Sequence, residues 1–234
     1  MAYYFAGYYL LQLKQHALLN RANQFIRTCS SCINDHLISD WSYSCVKNAH
    51  FKIEDVQSQF NLSNLQLSNL RKWADQHSLQ DQVGWISLFY DIETALEYKH
   101  KFFEHCQNVH LLSMYIDEEY RQDILEIYKP TFPNIGEVGL YACLKKVIVE
   151  PEDTNELLLG YDYIGIEPCG DFHSFHCQHL ADRLCEKFNL ELNYNNLFDD
   201  SSRQSEIEDF LNDESSGLEA VPWGIAKVKL VKSW

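Results

Sequence analysis

Between Gly160 and Phe188 the chain reads GYDYIGIEPCGDFHSFHCQHLADRLCEKF, and Cys169, Asp171, His173, His176, Cys177 and His179 fall within eleven residues. Thiols and imidazoles at that density point to two kinds of chemistry. They could hold a tetrahedral zinc ion, with Cys29-Ser30-Ser31-Cys32 as a further donor pair. Alternatively Cys169 or Cys177 could act as a nucleophile, its thiol acidified by a helix N-terminus, with His173 or His176 as base. Spacing argues against both. The CxxC pair has neither the Gly nor the Pro of a zinc knuckle. His173 and His176 are three residues apart, not the four that set two imidazoles on one ion, and no residue can be assigned to orient a base. A redox role for Cys29 and Cys32 needs a preceding strand in a βαβ frame. The structural alternative is a strand at Tyr161–Ile166, a turn at 168–171 and an amphipathic helix from about 174 to 188. In that reading Gly170 supplies a positive φ, Asp171 or Ser174 caps the helix, and Phe172 and Phe175 plug the core. Cys177 then faces the core with Leu180, Leu184 and Phe188, and His173 and His176 point outward or bond local backbone. This structural reading is preferred, with no catalytic residue, metal or cofactor expected. The competing reading is a Cys/His-dependent enzyme or zinc protein built on Cys169–Cys177.

No other motif names a reaction. The chain lacks GxGxxG, GxxxxGK[ST], HExxH, GxSxG and arrayed carboxylates. Charge is more informative. The net charge is −15, and it is uneven: residues 1–108 carry 9 Lys+Arg against 10 Asp+Glu, residues 109–234 carry 10 against 24. A field of that sign disfavours nucleic acid and anionic membranes and favours a basic partner or simple solubility. A secreted disulfide scaffold is normally shorter than 234 residues and comes with a signal peptide, and several of the eight cysteines sit at apolar positions where a thiol behaves as a small hydrophobe. The N-terminal apolar run lacks a basic leader and reaches Lys14 too soon to span a bilayer. A reduced, cytoplasmic protein is expected.

The elements that must position these residues follow from periodicity. Residues 3–33 read as a long helix, with an apolar stripe through Phe5, Tyr8, Tyr9, Leu13, Ala17, Leu18, Phe25 and Ile26. Asp35 to Ser58 carries little signal. Helices are predicted over Leu62–His77, capped by Asn61 or Ser63, and over about Gln80–Cys106. Past Asn108 strands dominate: Val109–Ile116, Val138–Val149, Leu157–Ile166 and Trp223–Val231. Helices are expected at Asp117–Tyr128, Ser174–Phe188 and Ser201–Leu211. The reading is one α+β domain over 1–234: an N-terminal helical layer (about 1–107) packed on a small, mostly antiparallel sheet with C-terminal helices (about 108–234).

Three clusters in the C-terminal 75 or so residues carry a resemblance: Gly160-Tyr161-Asp162, Phe172-His173-Ser174-Phe175 and Leu192-Asn193-Tyr194-Asn195. With the closing WGIAKVKLV, they resemble immunity proteins encoded beside polymorphic or contact-dependent bacterial toxins. Gln178-His179-Leu180 and Asn195-Asn196-Leu197 depart from the corresponding "NGL" and "ExGL" segments. The resemblance implies a cytoplasmic, non-catalytic protein that binds and blocks a cognate toxin, for instance a nuclease with a basic cleft. An acidic half-molecule suits such a target through steered, salt-sensitive association. Acids in turns and helix starts are the expected contacts: Asp117, Glu118, Glu119, Glu152, Asp153, Asp199, Asp200, Glu206, Asp209, Asp213 and Glu214. Trp223 is a candidate aromatic anchor, although a strand-start residue of this kind is more often core.

Overall fold

A computed structural model of the chain describes residues 2–16, 23–37, 60–79, 88–129, 139–152, 155–168, 170–177, 180–213 and 216–232. An antiparallel sheet runs through it. Its strands are β1 (Tyr3–Gln12), β2 (Asp35–His36), β3 (Leu88–Phe89), β4 (Val109–Asp117), β5 (Glu156–Ile166), β6 (Phe172–Ser174) and β7 (Trp223–Val231). Their order is β2-β1-β4-β7-β5-β6, with β3 also pairing with β1. Helices α1 (Asn64–Leu79), α2 (Ile92–Phe102), α3 (Glu118–Ile127), α4 (Gly139–Lys145), α5 (Leu180–Phe188) and α6 (Gln204–Leu211) complete the described elements. The protein is therefore α+β, as read from the sequence.

The N-terminal helix is not there. Residues 3–12 form the strand β1, paired with β4 from Tyr3↔Asp117 to Gln12↔Val109. YYFAGYYLLQ is apolar at nearly every position, so a helical stripe can be drawn through it by coincidence. The aromatic content fits a strand buried on both faces better. Gly7, at φ +126° beside a register shift, bulges the strand, and a Cβ there would lie 2.5 Å from Leu88 Cδ1. The two faces serve different clusters. Tyr9, Leu11 and Leu112 pack with α3–α6, whereas Leu10, Leu111, Phe89 and Val231 pack with Leu67, Leu70 and Trp73 of α1 and Tyr98 and Phe102 of α2.

Other boundaries moved for identifiable reasons. Ser63 caps α1, its hydroxyl accepting from the amide of Gln66. The long helix expected from Gln80 begins only at Ile92, where the Asp91 carboxylate accepts from Thr94 N at 2.7 Å; residues 80–87 lie outside the described set. The strand expected at Val138–Val149 is the helix α4 over Gly139–Lys145. Leu140, Cys143 and Leu144 bury one helical face, and Arg121 Nε donates to the Leu144 carbonyl at 2.9 Å. The β-branched run that advertised a strand, Val147-Ile148-Val149, is exposed behind it, with Val147 at φ +53°. β4, α3, β5, α6 and β7 lie within a few residues of their expected positions.

Candidate functional site

The hairpin β5–β6 pairs Ile164↔Ser174 and Ile166↔Phe172 around the turn at 167–171. The helix expected from Ser174 starts only at Leu180, because Phe172–Ser174 is held in the sheet. Neither proposed cap serves it. Asp171 Oδ1 accepts from the amide of Phe172, and Ser174 Oγ donates inward to Asp162 Oδ1 at 2.8 Å. Asp162, 1 % exposed, also accepts from Thr28 Oγ1 through Oδ2. Burial drives its carboxyl up to about 7, against hydrogen bonds from Thr28, Ser174 and the amides of Phe175 and Tyr163 that favour the charged form. The buried Asp162–Ser174–Thr28 contact ties the β5–β6 hairpin to Thr28, 134 residues from Asp162 in sequence.

The loop after α5 works in the same way. Asn193 Nδ2 and Asn195 Nδ2 both donate to the Leu159 carbonyl, at 2.8 and 2.7 Å. Asn196 Nδ2 reaches the carbonyls of Asn23 and Phe25. Gly160 lies under this loop at φ +146°, where a Cβ would meet Leu197 Cβ and Phe198 O at 2.7 Å. His176, read as pointing outward or bonding local backbone, is buried, with Nε2 at 2.7 Å from the backbone carbonyl of Asn196, 20 residues on. In the Gly160-Tyr161-Asp162, Phe172–Phe175 and Leu192–Asn195 clusters, Asp162, Ser174, Asn193 and Asn195 thus spend polar side-chain atoms on each other, on the Leu159 carbonyl and on residues 27 and 28.

The same latch creates a second arrangement. Residues 28–32 run beside β6: Ser30 Oγ donates to Phe172 O at 3.3 Å, and Ser31 Oγ donates to Asp171 Oδ1 at 3.5 Å. Cys32 Sγ then lies 3.4 Å from His173 Nδ1. Cys177, turned back by its amide bond to Ser174 O, accepts at Sγ from Ser174 N and sits 3.4 Å from Ser30 Oγ. Cys32, His173 and Cys177 offer one donor atom each, all within 4.8 Å of one another. His173 is half-buried, with Nε2 3.0 Å from Glu167 Oε1 and 2.9 Å from Glu219 Oε2.

Electrostatics follow from these contacts. The hydrogen bond with Cys177 lowers the Cys32 thiol to about 6, against burial and with the help of His173. Cys177 is pushed well up, first by that bond and then by burial, so one proton stays on Cys177. Burial alone would lower His173, but the bonds to Glu167 and Cys32 outweigh it and its net shift is upward. Of the CxxC pair only Cys32 takes part; Cys29 is fully buried in the main core. Cys169 and His179 lie outside the described residues. Cys32 is among the zinc donors that the sequence offers, but nothing in the sequence shows that it meets Cys177, 145 residues away, and nothing local marks Glu167 or Glu219.

The acids divide into groups. Asp117 is corrected: it is 1 % exposed, accepts from Tyr120 N as the cap of α3, and takes a second bond from Gln204 Nε2. That bond sets the first turn of α6 against the first turn of α3. Glu208 Oε1 accepts from Ile225 N. Its carboxyl is raised to about 7, chiefly by burial and then by Asp117. Glu119, Asp199, Asp200 and Glu206 are exposed. Glu118 pairs with Arg121 and Glu206 with Arg203; among the described residues Glu119, Asp199 and Asp200 have no ion pair. Glu152, Asp209 and Asp213 are also exposed, and Asp153 and Glu214 lie outside the described residues. Trp223 is a core residue at 2 % exposure, so it is no rim anchor.

Among the described residues no helix is long and apolar enough to cross a membrane. Comparison with family models, with curated proteins and with solved structures finds no match.

Proposed function

We propose that the protein is a non-catalytic immunity-type inhibitor that binds a cognate protein toxin with a basic surface, such as a nuclease, through an acidic edge. One observation carries this reading. The Gln204–Asp117 bond joins the starts of α3 and α6, and the acidic runs beside those starts, about 80 residues apart in sequence, are read as one edge. Exposed carboxylates without a cationic partner among the described residues are available to a cation on another molecule. At such an edge they act mainly on the rate of encounter and on selectivity.

The residues behind the immunity-protein resemblance support the same division of labour. Gly160, Asp162, Ser174, Asn193 and Asn195 hold the scaffold, which leaves the surface to carry the partner. Acids at a helix start also stabilise the helix through its dipole, so a test must separate the two roles. Tagged full-length protein, recovered from its native host and analysed by mass spectrometry, should retain one basic partner in a 1:1 complex that weakens as salt rises. Replacing Glu119, Asp199 and Asp200 together by Lys should slow association at least tenfold without moving the thermal midpoint by more than a few degrees. A stable complex that ignores both salt and these substitutions would overturn the assignment of the edge.

A further inference from the structure

Cys32, Cys177 and His173 converge from two segments that nothing in the sequence requires to meet. Two soft sulfurs and an imidazole are the donor set of zinc sites. Zinc–sulfur and zinc–nitrogen bonds of about 2.3 and 2.05 Å at a tetrahedral angle would set the two ligands roughly 3.6 Å apart. Cys32 Sγ and His173 Nδ1 are 3.4 Å apart, and Cys177 Sγ lies within 4.8 Å of both.

The imidazole is oriented for the task. Nδ1 faces the sulfurs while Nε2 faces Glu167 Oε1 at 3.0 Å and Glu219 Oε2 at 2.9 Å. A ligating histidine ordinarily gives its other N–H to a carboxylate, which fixes the tautomer and raises its basicity. We propose that Cys32 Sγ, Cys177 Sγ and His173 Nδ1 bind one Zn2+ ion, a water completes the tetrahedron, and Glu167 and Glu219 are the carboxylates behind the histidine. On binding, the two sulfurs become thiolates and release their protons to solvent, so the Zn(Cys)2 unit is neutral. The ion pins residues 28–32 to the β5–β6 hairpin, adjacent to the Asp162 contact. The site is independent of the acidic edge and stands whether or not the toxin reading does.

Full-length protein, reduced and freed of metal, should be titrated with Co2+ and then with Zn2+. One equivalent of Co2+ should give a thiolate-to-cobalt charge-transfer band and the intense visible bands of a tetrahedral ion, both removed by one equivalent of Zn2+. Cys32→Ser and Cys177→Ser should each abolish the charge-transfer band or reduce it sharply. Glu167→Gln with Glu219→Gln should retain the band and weaken affinity by about 10–100-fold. Cys106→Ser, at a distant thiol, should change nothing. Serine can still accept the bond from Ser174 N, and Cys32 is exposed, so circular dichroism should confirm folded variants. Absence of the charge-transfer band in folded, reduced protein overturns the proposal. So does an undiminished band in the folded Cys32→Ser, Cys177→Ser double variant.

Discussion

Replacing Asp162 by Asn should change the pH dependence of stability. The carboxyl is 1 % exposed and raised from an ordinary value of 3.8 to about 7, mainly by burial. A folded value above the unfolded one means that the folded state holds its proton more tightly, so stability attached to this group falls as pH rises from about 4 to 7. Ionisation in the folded state then carries its full cost above pH 7. A difference near three units is worth at most about 4 kcal/mol. Asn cannot ionise, so the variant loses this slope. It also meets the Ser174 and Thr28 hydroxyls and the Phe175 and Tyr163 amides with one good acceptor, a cost of ~1–3 kcal/mol. Asp162→Asn should therefore be the less stable protein at pH 5 and should draw level with or overtake the parent by pH 8. Urea denaturation of both proteins at four pH values measures this. Taking the difference cancels groups common to both, Glu208 included. A parent–variant difference that stays flat across this range would show that the hydrogen bonds, not burial, govern the carboxyl, and would refute the reasoning.

Other outcomes follow from contacts described above or adjoining them. Gly160→Ala combines a positive φ with contacts of 2.7 Å to Leu197 Cβ and Phe198 O and should cost ~3 kcal/mol or more, read as a lower urea midpoint. Tyr120→Phe removes the one hydroxyl proton shared between Ile164 O at 2.7 Å and Pro222 O at 2.8 Å and should cost about 1–3 kcal/mol. Burial opposes the charge on Glu150, but Lys227 and Lys229 win and lower its carboxyl. That contribution is present above the ordinary carboxylate range and fades as acid protonates the group. Glu150→Gln leaves two partly buried lysines with less anionic charge nearby and should destabilise by ~2–4 kcal/mol at neutral pH, measured by thermal melts.

Much of the scaffold is legible without coordinates. β4, β5 and β7 are apolar runs of strand length, and α3 announces itself through Asp117 followed by two acids. Where periodicity is degenerate it misleads. β1 is apolar almost throughout, so helix and strand templates both fit, and only nine register partners on β4, together with Gly7 at φ +126°, decide for the strand. The Val147–Val149 run has strand composition but is held to β1 only by an isolated antiparallel bridge, Tyr4↔Val149, with Phe5 N donating to Ile148 O. Phe172–Ser174 extends a helical pattern that begins only later, because Asp162 draws Ser174 into the hairpin.

By itself, then, the sequence determines an α+β protein with an acidic second half, a strand–turn–helix centre and a set of thiols and imidazoles of undecided use. Those properties depend on composition and on neighbours within about ten residues, where local propensity acts. The tertiary structure decides which donors meet. Cys29 enters the core while Cys32, three residues on, reaches His173 and Cys177; Asp117 is buried while Glu119 stays in water. Hydrogen-bonded docking between segments 87 to 141 residues apart sets these outcomes, and such contacts leave no periodic trace in the chain.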